Sequence, residues 1–352
     1  MTLKRPLIII AGCDAGSSPL TRSFAYVLAD AISSKDIEVK FVGKRTEGWL
    51  GIRCPNGLLA ALAILFSSRP STTLYYGIDH QTSALPAVTL ILLGRLRGLR
   101  VLVHHHHAIA TGERSALIAA VMKMKGVVHI VSSDAMYAEL VSQNQNGRIV
   151  ICGTAAAISR TSSRAATIGP PNRLGLLGPI VDGKGLDVAL DLTIAARAEG
   201  LDLSLTVVGL VQLDKERWLL SSAANHLGDS VRYVAVQEDG ADEAVLSEID
   251  ILILPSTSEA EMCSWAVLQA LAHGIVPIAS DQGGVRDLMG GAGELVHRNV
   301  SFVPEALFSV RKWTADPDRF ADLRRSAIVR FDELKTQADA QFQSLLAEFA
   351  LE

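Results

Sequence analysis

The sequence predicts an α/β protein of two facing Rossmann-like domains, joined by a linker and followed by a helical extension. Three observations predict it. Short β-branched runs alternate with helical stretches along most of the chain, the pattern of βαβ units on a parallel sheet. The alternation breaks once, at residues 159–171 (SRTSSRAATIGPP), where Ser, Thr, Gly and Pro mark a linker. The composition is 49% hydrophobic but only 5% aromatic over 352 residues. Small and branched residues of that kind pack helices onto a buried sheet, and the length fits two domains.

In the first half, strands are expected at 6–10, 38–42, 73–76, 100–103, 127–131 and 148–151. Helices are expected between them at 23–33, 57–66, 83–96, 114–124 and 135–143. After the linker, strands are expected at 173–177, 204–208, 231–234, 251–254 and 276–279. The helices of this half fall at 186–198, 214–227, 242–248, 264–273 and 285–288. The domains are then 1–160, a linker at 161–171, 172–316, and a helical extension at 317–352. Ligands of such sheets bind at the carboxyl ends of the strands, and two facing domains make a cleft.

The bulk properties exclude several classes. Cys13, Cys54, Cys152 and Cys263 form no CxxC pair, so a disulfide framework or structural zinc site is not expected and a reducing cytoplasm fits. The N-terminal apolar run is short and ends in glycine, as a first strand does rather than a signal peptide. The most apolar window, 84–103, is interrupted by Arg95, Arg97 and Arg100, so no spanning helix is expected. Residues 1–165 hold 18 Lys/Arg against 9 Asp/Glu, and the remainder 15 against 28. The basic half suits an anionic lipid surface or a phosphorylated acceptor, with scattered surface charge as the plainer alternative. No nucleic-acid partner is expected.

The chemistry concentrates at 251–288, ILILPSTSEAEMCSWAVLQALAHGIVPIASDQGGVRDL. A strand ends at Pro255-Ser256, and a loop with Glu259 and Glu261 follows. A helix then opens at Cys263 or Ser264 and closes at Gly274. A second strand runs into a turn ending at Gly284. A helix N-terminus favours a diphosphate, and a carboxylate just before it can accept from sugar hydroxyls. Positions 261 and 269 are eight residues apart, at most about 12 Å if helical, a reach from sugar to ribose.

This stretch resembles the retaining glycosyltransferases of the GT-B fold, family 4 (glycosyl transferases group 1). Their donor motif is a strand, Pro-Ser, a loop, then Glu-x7-Glu ending in Glu-Ala-x-Ala-x-Gly, a Pro-Val strand and a Gly-Gly turn. Gln269-Ala270-Leu271-Ala272-His273-Gly274 matches the ending with Gln for the second Glu. The resemblance implies that Glu261 touches the donor sugar and Gln269 the ribose. The loop is about two residues longer than usual, so Glu259 is a rival for the first role. Upstream, Lys184-Gly185 matches the family's Lys-Gly, which implies that Lys184 pairs with the donor phosphates. Pro179 stands where the family has Arg, and Arg286 or a basic residue of the first half is a candidate replacement. Gly209 resembles the strand-Gly turn under the nucleotide, and Ser132–Met136 resembles a turn of the acceptor domain.

His104 to His107 follow a predicted strand. In the resembling family a His at this strand end often faces the donor sugar. Alternation sends His104 and His106 one way and His105 and His107 the other, and His106 or His107 is favoured for the cleft. Structural histidines hydrogen-bonded to backbone are the competing reading. A metal reading lacks convergent ligands. Gly12, Asp14 and Gly16, after the first strand, are acceptor-side candidates or an ordinary turn.

The resemblance implies transfer of a hexosyl-type sugar, from a nucleoside diphosphate sugar of UDP or GDP type, to a glycan or lipid-linked acceptor. Configuration is retained, and no metal or other cofactor is needed. The enzyme is expected in the cytoplasm, peripheral at the inner membrane face where its basic half meets lipid. Competing classes are an epimerase or phosphorylase of similar fold and a non-catalytic binding or partner subunit, the latter motivated by Pro179 and Gln269.

Overall fold

The structure, a computed structural model, describes residues 7–10, 19–33, 39–42, 72–78, 84–106, 123–142, 148–158, 169–211, 213–235, 243–257 and 264–350. The chain divides into two compact units, residues 1–157 with 337–352, and residues 158–336. The expected helices at 57–66 and 114–124 and most of the linker lie outside the described residues.

The first unit orders β1 (Leu7–Ile10), α1 (Pro19–Ser33), β2 (Val39–Val42), β3 (Thr73–Ile78), α2 (Ala84–Leu96), β4 (Arg100–His105), β5 (Val127–Val131), α3 (Asp134–Ser142) and β6 (Arg148–Ile151). The strands pair in parallel in the order β2-β1-β3-β4-β5-β6. Successive strand residues face opposite ways. Leu74, Tyr76, Val101 and Val103 therefore meet Ala87, Leu90 and Ile91 of α2 on one face, while on the other Tyr75 bonds His104, which packs against Phe24 of α1.

The second unit orders β7 (Arg173–Leu177), α4 (Leu186–Ala198), β8 (Ser204–Val208), α5 (Asp214–Leu227), β9 (Val231–Val234), α6 (Glu243–Leu246), β10 (Ile251–Leu254), α7 (Trp265–Ala272), β11 (Val276–Ser280), α8 (Val285–Met289), β12 (Glu294–Val296) and α9 (Phe302–Ala315). Its sheet is parallel in the order β12-β11-β10-β7-β8-β9. One face packs Leu174, Leu176, Leu205, Val207, Ile251 and Ile253 against α4 and α9. β12 and α9 are additions to the elements expected from sequence.

The final helix, α10 (Pro317–Ala350), spans 34 residues. It is the expected C-terminal helix, and the division between the two units falls within it. Residues up to 336 belong to the second unit and those from 337 to the first. Within the second unit, Arg324 lies 3.5 Å from Asp250. Within the first, Gln341 accepts from the Gly153 N–H at 2.9 Å, and Phe342 packs edge-on against Phe24.

Candidate functional site

In the second sheet every strand runs the same way, so all carboxyl ends share one edge. β7 leads to its neighbour β8 on one side, and β10 leads to β11 on the other. Right-handed crossovers then place α4 and α7 on opposite faces, and the crevice opens between β7 and β10. The described residues bordering it are 178–185 after β7, and 255–257 and 264 after β10.

Glycine geometry brings these loops together. Gly209, at the end of β8, has φ 152, and a Cβ there would lie 1.8 Å from the Gly178 carbonyl oxygen. Only glycine permits that approach. The Gly209 carbonyl in turn accepts from the Tyr233 hydroxyl at 2.9 Å. Lys184 sits half-buried in a turn closed by its own N–H to the Val181 carbonyl at 3.2 Å. The Thr257 N–H donates to the Gly183 carbonyl at 2.9 Å, which ties the lysine turn to the chain leaving β10.

Ser264 occupies the N-cap of α7 with φ −74 and ψ 107. It is 1% exposed, and its hydroxyl makes no cap hydrogen bond. The expected opening of the helix is therefore met by backbone position alone. Gln269 is 9% exposed within the same helix. Gly284 is the N-cap of α8, which has five residues. Glu259, Glu261 and Cys263 lie outside the described residues, as do His107, Gly12, Asp14 and Gly16. Thus the structure brings Lys184, Gly209, Ser264, Gln269 and Gly284 to the carboxyl side of one sheet and leaves the glutamates undescribed.

Three polar atoms here are buried with no hydrogen-bond partner among the described residues: Ser264 Oγ, Trp265 Nε1 and Gln282 Oε1. Leaving a buried polar group unpaired costs about 1–3 kcal/mol, and native interiors rarely tolerate it. All three follow the carboxyl ends of β10 and β11. An indole N–H only donates and an amide oxygen only accepts. Sequence reasoning missed Trp265, Gln282 and Thr257. The motif placed them in the right stretch but held no signal for their state.

Arg286, a candidate replacement for the cation missing at Pro179, is engaged with Asp281. Its guanidinium holds the Asp281 carboxylate, Nε to Oδ1 at 3.1 Å. That hydrogen bond lowers the Asp281 pKa and raises that of Arg286. His297 Nδ1 lies 3.4 Å from the same carboxylate, and Arg298 donates to the Asp281 carbonyl at 3.2 Å.

In the first unit the histidines end β4 as interior groups. His104 and His106 share a face, with ring centroids 3.9 Å apart and both against Phe24. His105 turns the other way and meets His129, Nε2 to Nδ1 at 3.3 Å. The alternation is as expected, and His106, a candidate for the cleft, is fully buried. Its N–H extends the sheet by donating to the Ile78 carbonyl at 3.0 Å. His104 Nδ1 shares a hydrogen with the Tyr75 hydroxyl at 2.7 Å. Burial holds the pKa of His104 and of His105 well below the usual value, and the neighbouring imidazoles add to it. Burial likewise pushes the Cys152 thiol up to about 12, with Asp339 adding to it. Among the described residues no group of three or more His, Cys, Asp or Glu side chains is placed to hold a metal ion. No helix among them is long and apolar enough to cross a membrane.

Residues 171–309 match the protein family described as Glycosyl transferases group 1. A glycogen synthase of Rhodopseudomonas palustris (strain BisB18) is 31% identical over 127 residues, 36% of this chain and 25% of that protein. The match thus spans about a quarter of the relative's length. Among solved structures, a sucrose-phosphate synthase from Thermosynechococcus elongatus superposes with a TM-score of 0.68 at 16% identity, covering 98% of this chain and 100% of that one. Anabaena HepE in complex with UDP-glucose gives 0.72 at 11% identity, covering 97% and 99%. The fold is that of the GT-B glycosyltransferases.

Proposed function

We propose that this protein, whose residues 171–309 match the Glycosyl transferases group 1 family, transfers a sugar from a nucleoside diphosphate sugar to a hydroxyl acceptor with retention of configuration. The observation that carries the proposal is the crevice between β7 and β10. Supporting it, the Lys184 turn is tied to the chain leaving β10 by the Thr257 N–H to the Gly183 carbonyl, and α7 opens at Ser264, whose buried Oγ has no partner among the described residues. Anabaena HepE, similar over nearly the whole chain, binds UDP-glucose, which supports a donor of this kind.

In this reading Lys184 and the N–H groups at Ser264 stabilise the diphosphate as its bond to the sugar breaks. Gln269 accepts from or donates to the ribose. Glu261, or its rival Glu259, orients the donor sugar. The acceptor oxygen attacks the anomeric carbon on the face the diphosphate leaves, and its proton passes to the leaving phosphate oxygen. Atoms and charge balance without a protein nucleophile or a metal. The first unit takes the acceptor, a glycan or lipid-linked oligosaccharide, and its basic character suits work in the cytoplasm at an anionic membrane face.

The test is a panel of UDP- and GDP-sugars, incubated with and without added glycan acceptors, with released nucleoside diphosphate measured. Release with at least one donor is expected, and the product's anomeric configuration by NMR should match the donor's. Binding of a donor without release would favour a non-catalytic partner subunit. Interconversion of free donor sugars would favour an epimerase. Absence of any donor binding overturns the assignment.

A further inference from the structure

The inference concerns how Lys184 is held, and it rests on the donor reading above. Lys184 lies between two glycines in the left-handed region, Gly183 at φ 79 and Gly185 at φ 81. Such a turn would be loose on its own, since glycine backbones are the least restricted. Here each neighbouring residue is tied to another element. The Gly183 carbonyl accepts from the Thr257 N–H at 2.9 Å, and the Thr257 hydroxyl lies 3.4 Å from the same oxygen. Gly185 presses against Pro255, where an added Cβ would lie 2.3 Å from Pro255 Cγ and 3.0 Å from its carbonyl oxygen. The Asp182 carboxylate accepts from Lys215 Nζ, in the first turn of α5, at 3.1 Å.

We propose that the turn Pro255-Ser256-Thr257 is a bracket for the lysine turn, with Thr257 and Pro255 as positioning residues that act through Lys184. A lysine ammonium is a point charge on a flexible four-carbon stem. It stabilises a leaving diphosphate only to the extent that its base is fixed. With Pro179 where the resembling family has Arg, a single side chain carries that task, and its placement matters more. The bracket also leads directly in sequence into residues 258–263, which include Glu259 and Glu261. The turn that meets phosphate and the segment assigned to the sugar therefore start from one fixed base.

A double-mutant cycle tests this, reading the affinity of the intact protein for UDP or GDP, whichever binds, and for the matching monophosphate. Lys184→Met is expected to weaken diphosphate binding about tenfold, or about 1.4 kcal/mol. Thr257→Pro removes the N–H and hydroxyl donors together at an exposed position. It is expected to weaken diphosphate binding about fivefold in the native background and less than twofold beside Lys184→Met, a coupling within the usual range for contacting residues. Monophosphate binding and the melting midpoint should hold, and Thr257→Ser should bind as the native protein does. Gly185→Ala, which drives the two turns apart by contact, should show the same non-additivity.

Equal losses from Thr257→Pro with and without Lys184 would make Thr257 a structural residue and overturn the bracket. If Lys184→Met leaves diphosphate binding unchanged, the donor role of Lys184 fails and the bracket's purpose fails with it. Those two results are distinct in the single-mutant arm.

Discussion

The two edges of the second sheet are built on opposite principles. At the amino edge, the Asp250 carboxylate is buried and fully engaged. Arg173 holds it through Nε at 2.9 Å and Nη2 at 2.7 Å, Arg324 stands at 3.5 Å, and the Asn172 N–H approaches at 3.4 Å. The same device recurs in the first unit, where buried Glu348 of α10 meets Arg100 and Arg148 at the starts of β4 and β6. The carboxyl edge instead carries the close approach of Gly209 to the Gly178 carbonyl, and three buried polar atoms, Ser264 Oγ, Trp265 Nε1 and Gln282 Oε1, with no partner among the described residues; at the amino edge Arg324 Nη2 is the comparable atom. One edge uses charged groups to hold strands and the terminal helix together, while the other joins its loops by glycine contact and, in the proposed reading, meets the donor. The difference separates stability from binding within a single layer of strands.

The sharpest way to break that contrast is at Asp250. Asp250→Asn leaves two arginines facing a neutral group in a buried setting. Removing one partner of a buried ion pair costs about 3–5 kcal/mol. Urea unfolding should show a loss of that order, while the fraction still folded keeps the native affinity for nucleoside diphosphate. A loss below about 1 kcal/mol would show that the amino edge is an ordinary surface cluster. The protonation of Arg324 enters here too, because burial lowers its pKa while Asp250 opposes that.

Much of this was legible beforehand, for physical reasons that can be named. The strands at 173–177, 204–208, 231–234 and 251–254 are apolar or β-branched runs closed by turn residues, and they form as expected. β12 has only three residues, too few for an alternating signal. α9 carries Pro304 in its first turn, where the missing N–H costs little, yet the proline masks the helical period. The period of α10 is unbroken, so nothing in it marks residue 337, where its packing partners change unit. At the site, Lys184 and Gln269 came from the resemblance of their stretches to a family motif. Thr257 and Gln282 did not, because a hydrogen bond to Gly183 or the lack of a partner arises only once separate loops meet.

The next effect concerns the carboxyl end of β4, where the first unit packs imidazoles inside. His104 and His105 have folded pKa values well below the ordinary one, mainly through burial. Their unfolded counterparts titrate near 6.5. Below that value the unfolded chain binds protons that the native chain does not, so stability falls as pH falls and is unaffected well above it. Each histidine contributes up to about 1.4 kcal/mol per pH unit once its unfolded form is protonated. Hydrogen exchange of the amides at 100–106 should therefore accelerate, after correction for the intrinsic rate, between pH 7 and pH 5. Protection that does not change over that range would mean that these rings are charged or solvated in the native state.

The smallest effect is the most discriminating for the carboxyl edge. Arg286 is an exposed cation beside the Gly-Gly turn, and by position alone it is a substitute for the arginine absent at Pro179. Its geometry argues otherwise, because both ends of its guanidinium fork are committed to Asp281. Freeing it for a phosphate would leave that carboxylate with His297 alone. Arg286→Ala should then leave diphosphate affinity within twofold of native and the melting midpoint unmoved within the error of the scan, as for most exposed ion pairs. A tenfold loss of diphosphate affinity, with monophosphate binding intact, would make Arg286 the second cation of the clamp. The edge would then be less open than its unpartnered atoms imply, with part of its charge held in reserve by Asp281 until a donor arrives.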